Sequence, residues 1–304
     1  MQIVRSESST HEVTVGLVED RRWLGQFARR YASIAELLRL SSAELRVAVD
    51  AARTPAPETP SPGRLLAPID GQTEVWAAGV TYKRSEEARM EESATPDIYS
   101  RVYRAERPEI FFKATPRRVV GPEEPVVVRA DSSWDVPEPE LAIVVNAHAE
   151  IVGYTIGNDV SSRTIEGENP LYLPQAKVYD GSCALGPGIV PAWQVADPYV
   201  LGIRMRISRN GARHWQGETS MREFARRLDD LVMYLFREDE FPDGVILCTG
   251  TALVPDSPFT LEAGDSVEID IDGLGTLRNP VVRGKAARRQ ALVGVSNWQL
   301  AISN

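Results

Sequence analysis

The sequence predicts an α+β protein built on mixed sheets, preceded by a small α/β unit. Three observations predict it. Asn210–Gly211 and Asp272–Gly273 are two-residue hairpin turns between alternating segments. A single long stretch at helical spacing interrupts the β pattern. The regular strand–helix alternation of a doubly wound parallel sheet is missing.

At 304 residues the chain fits one large domain and one small one. Residues 1–60 read as a small N-terminal domain ending in a linker, and residues 61–304 as the large, mostly β domain. "HEVTVGLVED" (11–20) alternates as a strand. "SIAELLRLSSAELRVAVDAA" (33–52) reads as two short helices, the second opened by a capping box of Ser41 and Glu44. "RTPAPETPSPG" (53–63) carries prolines at 55, 57, 60 and 62; fixed φ and missing amide donors make it an extended linker. Downstream, a helix is expected from Ser220, boxed with Glu223, carrying Met221, Phe224, Leu228, Leu231, Val232 and Leu235 on its core face.

Charge and composition narrow the function. A formal net charge of −9 disfavours nucleic acid and anionic membranes as partners. A small anionic substrate stays open, because a bound metal ion inverts the local field. Cys183 and Cys248 build neither a disulfide framework nor a zinc site and read as small core residues. No apolar run reaches the roughly 18 residues of a membrane span. The segment "MQIVRSESSTHEV" lacks the apolar stretch of a signal peptide, so a cytoplasmic protein is expected.

The densest chemistry lies in "WDVPEPELAIVV" (134–145). Side chains two apart on a strand share a face, so Glu138 and Glu140 project together, their Cα atoms about 6.5–7 Å apart. "NAHAE" (146–150) reads as a turn with His148 at its solvent-exposed tip, and "IVGYTIGND" (151–159) as the return strand. Folding that hairpin about His148 brings Asp159 opposite Glu138. Three converging carboxylates repel one another unless bases or a divalent cation compensate them. The all-oxygen set suits Mg²⁺, with Mn²⁺ or Ca²⁺ also open, rather than zinc. Taken alone, E-x-E also fits a solvated strand end.

Neighbouring segments add candidates. "PEIFFKATP" (108–116) sets Glu109 and Lys113 on an apolar strand. Lys177 lies in a Gly- and Pro-rich segment, and a lysine facing such a cluster steadies an enolate or acts as a base. Thr249 and Thr251 flank Gly250, where hydroxyls and backbone can hold a ligand carboxylate. The G-x-S-x-G, G-x-G-x-x-G and H-E-x-x-H motifs are absent. "GSCALGPG" (181–188) has Pro187 where a P-loop needs lysine, and "RGKAARRQ" (283–290) reads as a solvated basic face. His11, His148 and His214 are too scattered for a triad or a metal site.

Together "EPE" (138–140), "GYTIGNDVSSR" (153–163), Lys177, "LGPG" (185–188) and "TGT" (249–251) resemble the fumarylacetoacetate hydrolase superfamily over roughly residues 68–282. "RPEIFFKATP", "VPEPELAIVV" and "ENPLYLPQAKVYDG" resemble its 2-keto-3-deoxy-D-arabinonate dehydratase branch. The resemblance implies a mixed β-sandwich roll and a homo-oligomer, dimer or tetramer. It also implies Mg²⁺ on Glu138, Glu140 and Asp159, which chelates an α-keto acid substrate. Lys177 and Glu109 match catalytic positions, and Thr251, Lys113, Tyr82, Ser85 and Asp180 are expected at the substrate. Hydrolases of the family carry a histidine three residues after a tyrosine matching Tyr82; here that position is Ser85. Without a base for water, elimination is favoured over hydrolysis. The expected reaction is therefore dehydration of a 2-keto-3-deoxy sugar acid, with an acylpyruvate-type hydrolase, isomerase or decarboxylase as the alternative. Two positions depart from the pattern: Thr164 replaces the usual Asp after Arg163, and Asp180 replaces a small residue.

Overall fold

In the computed structural model, residues 1–292 are described apart from 21, 28, 54–62 and 93–96; all but the two end residues of the expected linker, 53–63, thus fall outside the described residues. The chain opens with strands β1 (Gln2–Glu7), β2 (Val13–Glu19) and β3 (Arg22–Gln26), followed by helices α1 (Ile34–Leu38) and α2 (Ser42–Ala52). Both helices begin with capping boxes, Ser33 with Glu36 and Ser41 with Glu44, which satisfy amides the first turn leaves free. Next come β4 (Arg64–Leu66), β5 (Glu74–Gly79), α3 (Lys83–Glu92), α4 (Asp97–Arg104), β6 (Glu109–Ala114), β7 (Val119–Val120), β8 (Val126–Val128) and β9 (Asp135–Val136). The central hairpin is β10 (Pro139–Val145) and β11 (Ile151–Asp159). It is followed by β12 (Ser161–Ser162), α5 (Arg163–Glu168), α6 (Leu173–Lys177) and β13 (Cys183–Pro191). The chain continues through β14 (Gly202–Arg209), β15 (Ala212–Ser220), α7 (Leu228–Leu235), β16 (Val245–Cys248), β17 (Ser266–Ile271) and β18 (Gly275–Arg283).

Among the described residues the strands form a large mixed sheet, β3-β2-β1-β13-β11-β10-β16-β5-β6, with β4 on β1 and β7 on β13. A five-stranded sheet, β15-β14-β17-β18-β8, packs over it, and β9 pairs with β12. The hairpin β10–β11 is buried on both faces, which is why its sequence is a continuous apolar run. Leu141, Ile143 and Val145 join a core with Ile203, Met205, Val267 and Ile269 of the smaller sheet. Ala142 and Val144, on the opposite face, join a second core with Ile34, Leu37, Leu45 and Val49 of α1 and α2. The segments on either side of the expected boundary near residue 60 thus share one core, and β1 pairs with β13 at Ile3↔Ile189. No described helix is long and apolar enough to cross a membrane.

Asn210 and Gly211 form the expected two-residue turn, both at positive φ. The second turn has three residues, not two: Ile271 pairs with Gly275, because Leu274 is drawn fully into the core. The helix expected from Ser220 is also corrected. Ser220 caps only a short 3-10 turn, Phe224 and Arg227 are extended, and the helix proper begins at Leu228. Tertiary backbone contacts override the local pattern here. Tyr82 and Phe224 form an isolated β-bridge, the Ala225 amide donates to Thr81 O at 2.9 Å, and the Arg226 side chain donates to Val102 O in the last turn of α4 and to Ala105 O just beyond it. "GSCALGPG" lies largely in β13 rather than in a phosphate-binding loop.

Candidate active site

The hairpin register pairs Pro139 with Asn158 and Glu140 with Gly157, which sets Asp159 opposite Glu138; the Asp159 amide donates to Glu138 O at 3.0 Å. Glu138, Glu140 and Asp159 are all buried, and each offers a carboxylate oxygen within 4.8 Å of the others. His148 is exposed at the turn, as expected.

Cations surround this trio. Lys177, the last residue of α6, donates from Nζ to Glu138 Oε2 at 2.8 Å, Asp159 Oδ2 at 3.0 Å and Ser161 Oγ at 2.6 Å. Its ammonium also lies 5.7 Å from the centre of the Phe111 ring, within cation–π range. Arg163 Nη2 lies 3.3 Å from Glu138 Oε1, and its Nη1 donates to Glu166 Oε2 at 3.0 Å. Glu140 Oε2 accepts from the Gly250 amide at 2.6 Å. Gly250 has φ +90°, and a Cβ there would fall 2.1 Å from Thr81 Oγ1, so no side chain fits at this approach.

These groups border one cavity, lined also by Ser85, Tyr99, Glu109, Phe111, Thr251 and the Arg84–Asp256 ion pair. No histidine lines it. Glu109 enters from β6, directly opposite Gly79 on β5, and a Cβ at Gly79 would stand 2.1 Å from Glu109 Oε2. The missing side chain on one strand makes room for the acid on its neighbour. The Thr251 hydroxyl accepts from the Leu253 amide at 3.0 Å, which fixes the loop that borders the cavity.

Three expected substrate contacts are corrected. Tyr82 is fully buried in the core, its ring edge-on to Phe224 and its hydroxyl 2.9 Å from Met221 Sδ, and it does not line the cavity. Lys113 is buried beneath Asp159, out of reach of a ligand. Asp180 pairs with Arg288, a buried side chain from within "RGKAARRQ", instead of facing Lys177 or the cavity. That basic run is therefore not wholly a solvated face. Thr164, the other departure, accepts from the Ser133 and Trp134 amides at 3.2 and 3.0 Å and so holds the 132–134 loop. Sequence reasoning missed Arg163, Glu166 and Ser161 as cavity or cluster residues. The available signal was the i, i+3 spacing of Arg163 and Glu166 just after Asp159.

The electrostatics test whether a metal fits. Burial pushes the Glu140 carboxyl well above the usual range, and the charges of Asp159 and Glu138 push it further, against Lys177 and the Gly250 amide. For Asp159 burial acts the same way, but Lys113 and Lys177 outweigh it and hold the carboxyl below its ordinary value. The oxygen-only donor set and the mutual repulsion of its buried carboxylates fit a hard divalent cation.

Residues 74–282 match the model of the fumarylacetoacetate hydrolase C-terminal domain. The chain is 56% identical over 214 residues (70% of this chain, 73% of the relative) to a Haloferax volcanii protein named "Probable 2-keto-3-deoxyxylonate dehydratase". It is 47% identical over 222 residues (72% of this chain, 74% of the relative) to the 2-dehydro-3-deoxy-D-arabinonate dehydratase of Saccharolobus solfataricus. Among solved structures, a 2-keto-3-deoxy-D-arabinonate dehydratase complexed with magnesium and 2,5-dioxopentanoate superposes with a TM-score of 0.81 at 37% identity, covering 93% of this chain and 99% of that one. Sequence, fold and site agree: the chain belongs to the fumarylacetoacetate hydrolase family.

Proposed function

We propose that this protein is a Mg²⁺-dependent dehydratase of a 2-keto-3-deoxypentonate, which it converts to 2,5-dioxopentanoate. The observation that carries the reading is a buried carboxylate trio faced by Lys177 and Glu109 in a cavity without histidine. Two relatives named as dehydratases of such acids, and a structural neighbour holding magnesium and 2,5-dioxopentanoate, support it.

Glu138, Glu140 and Asp159 would hold the ion. When bound, the ion supplies Lewis acidity that lowers the pKa of the C3 protons of an α-keto acid. Lys177 and Glu109 share two proton transfers: removal of a proton from C3 and protonation of the C4 hydroxyl, which leaves as water. A C3–C4 double bond forms, and tautomerisation moves the unsaturation to the C5 aldehyde. Thr251 orients the substrate carboxylate, and Ser85 faces its distal hydroxyls. Ser85, in the place of the family histidine, brings no base to activate water. Cytoplasmic location fits two buried free thiols, and a dimer or tetramer follows the family pattern. The further division into residues 1–60 and a catalytic unit of 61–304 belongs to the same proposal.

The test incubates purified protein and Mg²⁺ with 2-keto-3-deoxypentonate and assays the aldehyde product. Turnover that is abolished by Glu138→Gln is expected. An inert wild type, or a Glu138→Gln variant as active as wild type, overturns the reading.

A further inference from the structure

Strand β6 presents Glu109, Phe111 and Lys113 on one face, two residues apart. The first two line the cavity, and the third lies beneath it with no exposed surface. Lys113 has three donors and three partners. Its Nζ donates to Lys177 O at 2.6 Å and Val160 O at 3.1 Å, and it forms an ion pair with Asp159 Oδ1 at 2.5 Å. We infer that Lys113 is a positioning residue that sets Asp159 and Lys177 relative to each other. The inference rests on the proposed function for its turnover readout only.

The geometry explains how. Lys177 ends α6, so its carbonyl is one that the helix leaves without an intrahelical partner. Lys113 and the Ser182 hydroxyl, at 2.8 Å, both donate to it, which fixes the backbone from which the Lys177 side chain starts. The same ammonium engages Asp159 Oδ1, and Oδ2 is left to meet Lys177 Nζ at 3.0 Å. One side chain thus links three elements: β6, which carries Glu109, the end of β11, which carries Asp159, and α6, which carries Lys177. An apolar side chain at 113 would leave Asp159 Oδ1 without its cation and Lys177 O with the Ser182 hydroxyl as its remaining donor, and the cluster would reorganise around them.

The test compares full-length wild type with Lys113→Met. Mn²⁺ affinity is read by electron paramagnetic resonance, and kcat at saturating Mn²⁺ with 2-keto-3-deoxypentonate. Mn²⁺ affinity is expected to fall about 10- to 100-fold. At saturating metal, kcat is expected to fall on the order of 100-fold with KM within about threefold, since substrate binding keeps its own contacts. A purely structural residue would lower Tm but leave both readouts of the folded fraction unchanged. A folded Lys113→Met variant within twofold of wild type in both overturns the inference. Ser182→Ala, which removes the second donor to Lys177 O together with the hydroxyl's contacts to Tyr179 N and Tyr179 O, covers the case in which Lys113→Met does not fold. Its kcat should fall about fivefold, near the loss of one hydrogen bond, with Mn²⁺ affinity unchanged; wild-type kcat in Ser182→Ala overturns the positioning role of that carbonyl. Wild type that binds Mn²⁺ but turns over nothing counts against the proposed function, and the Mn²⁺ comparison still decides the role of Lys113.

Discussion

The β10–β11 hairpin has two ends of opposite character. Its open end gathers three buried carboxylates under two lysines and an arginine. Its turn is clasped by neutral backbone. Ala147 N donates to Leu38 O at 2.8 Å, Asn146 Nδ2 to Leu40 O at 2.9 Å, and the Ser42 amide to Glu150 Oε2 at 2.7 Å. Between the ends both faces are apolar and buried. A one-residue slip would turn every side chain to the wrong face, so those buried walls and the clasped turn hold the register. The contrast teaches that the molecule separates what fixes geometry from what uses it. The cost of crowding like charges falls at one end, and the contacts that withstand it lie along the strands and at the other.

If the ends are so divided, substitutions at each should have different signatures. The largest effect is expected from Glu140→Gln. Removing one member of the trio should lower kcat on the order of 10³-fold at saturating Mg²⁺, equivalent to several kcal/mol of lost transition-state stabilisation. Steady-state assays check this, and a variant within tenfold of wild type would dissolve the division from the active end. Next is Asn146→Ala at the turn. Asn146 is fully buried and its amide serves Leu40 O, Glu150 Oε2, His148 N and Glu150 N. Its loss should cost about 2–4 kcal/mol, read as a drop in Tm of about 5–10 °C, while kcat per folded molecule stays within twofold. A large kcat loss there would show that the two ends are not separable.

The smallest effect concerns pH. The Glu140 carboxyl is raised in the fold, chiefly by burial and then by Asp159 and Glu138. A raised carboxyl favours the folded state while protonated, so that contribution is present at acid pH and is lost as pH climbs above the ordinary carboxylate value. In EDTA, wild type should therefore lose stability as pH rises from about 5 to 8. Glu140→Gln should melt on the order of 3–5 °C higher than wild type at pH 8, with the gap closing toward pH 5. Thermal melts across that range decide it, and added Mg²⁺ should reverse the order by stabilising wild type alone.

Much of the active end was legible because it depends on local periodicity. Period two put Glu138 and Glu140 on one face, and counting about His148 put Asp159 across from Glu138. The bulge between Val144 and Val145 lies on the turn side and leaves that register intact. The clean core alternation of β14 and β17 and the Ser41–Glu44 box were legible for the same reason. What was hidden depends on long-range contacts. The helix expected from Ser220 is cut by pairing with Thr81 and Tyr82, some 140 residues away in the chain. Lys113 and Tyr82 bear polar groups that suit a ligand, and only the tertiary structure shows that Asp159 and Met221 already occupy them. Arg163 and Glu166 stood beside a recognised motif, but nothing local says that a two-turn helix aims both at a cavity.

The empty place beside Glu109 has an evolutionary consequence. Gly79 and Glu109 sit opposite each other, and a Cβ on the first would meet the carboxylate of the second. The obstructing atom is the far end of a flexible side chain, so an alanine at 79 could be tolerated by the fold while it displaces the acid. Selection for folding alone would not oppose that step. Once taken, it would make any later return of a glutamate at 109 useless until the glycine came back first. The two positions work as a ratchet: a lineage that loses this chemistry through residue 79 must retrace its changes in a fixed order to recover it.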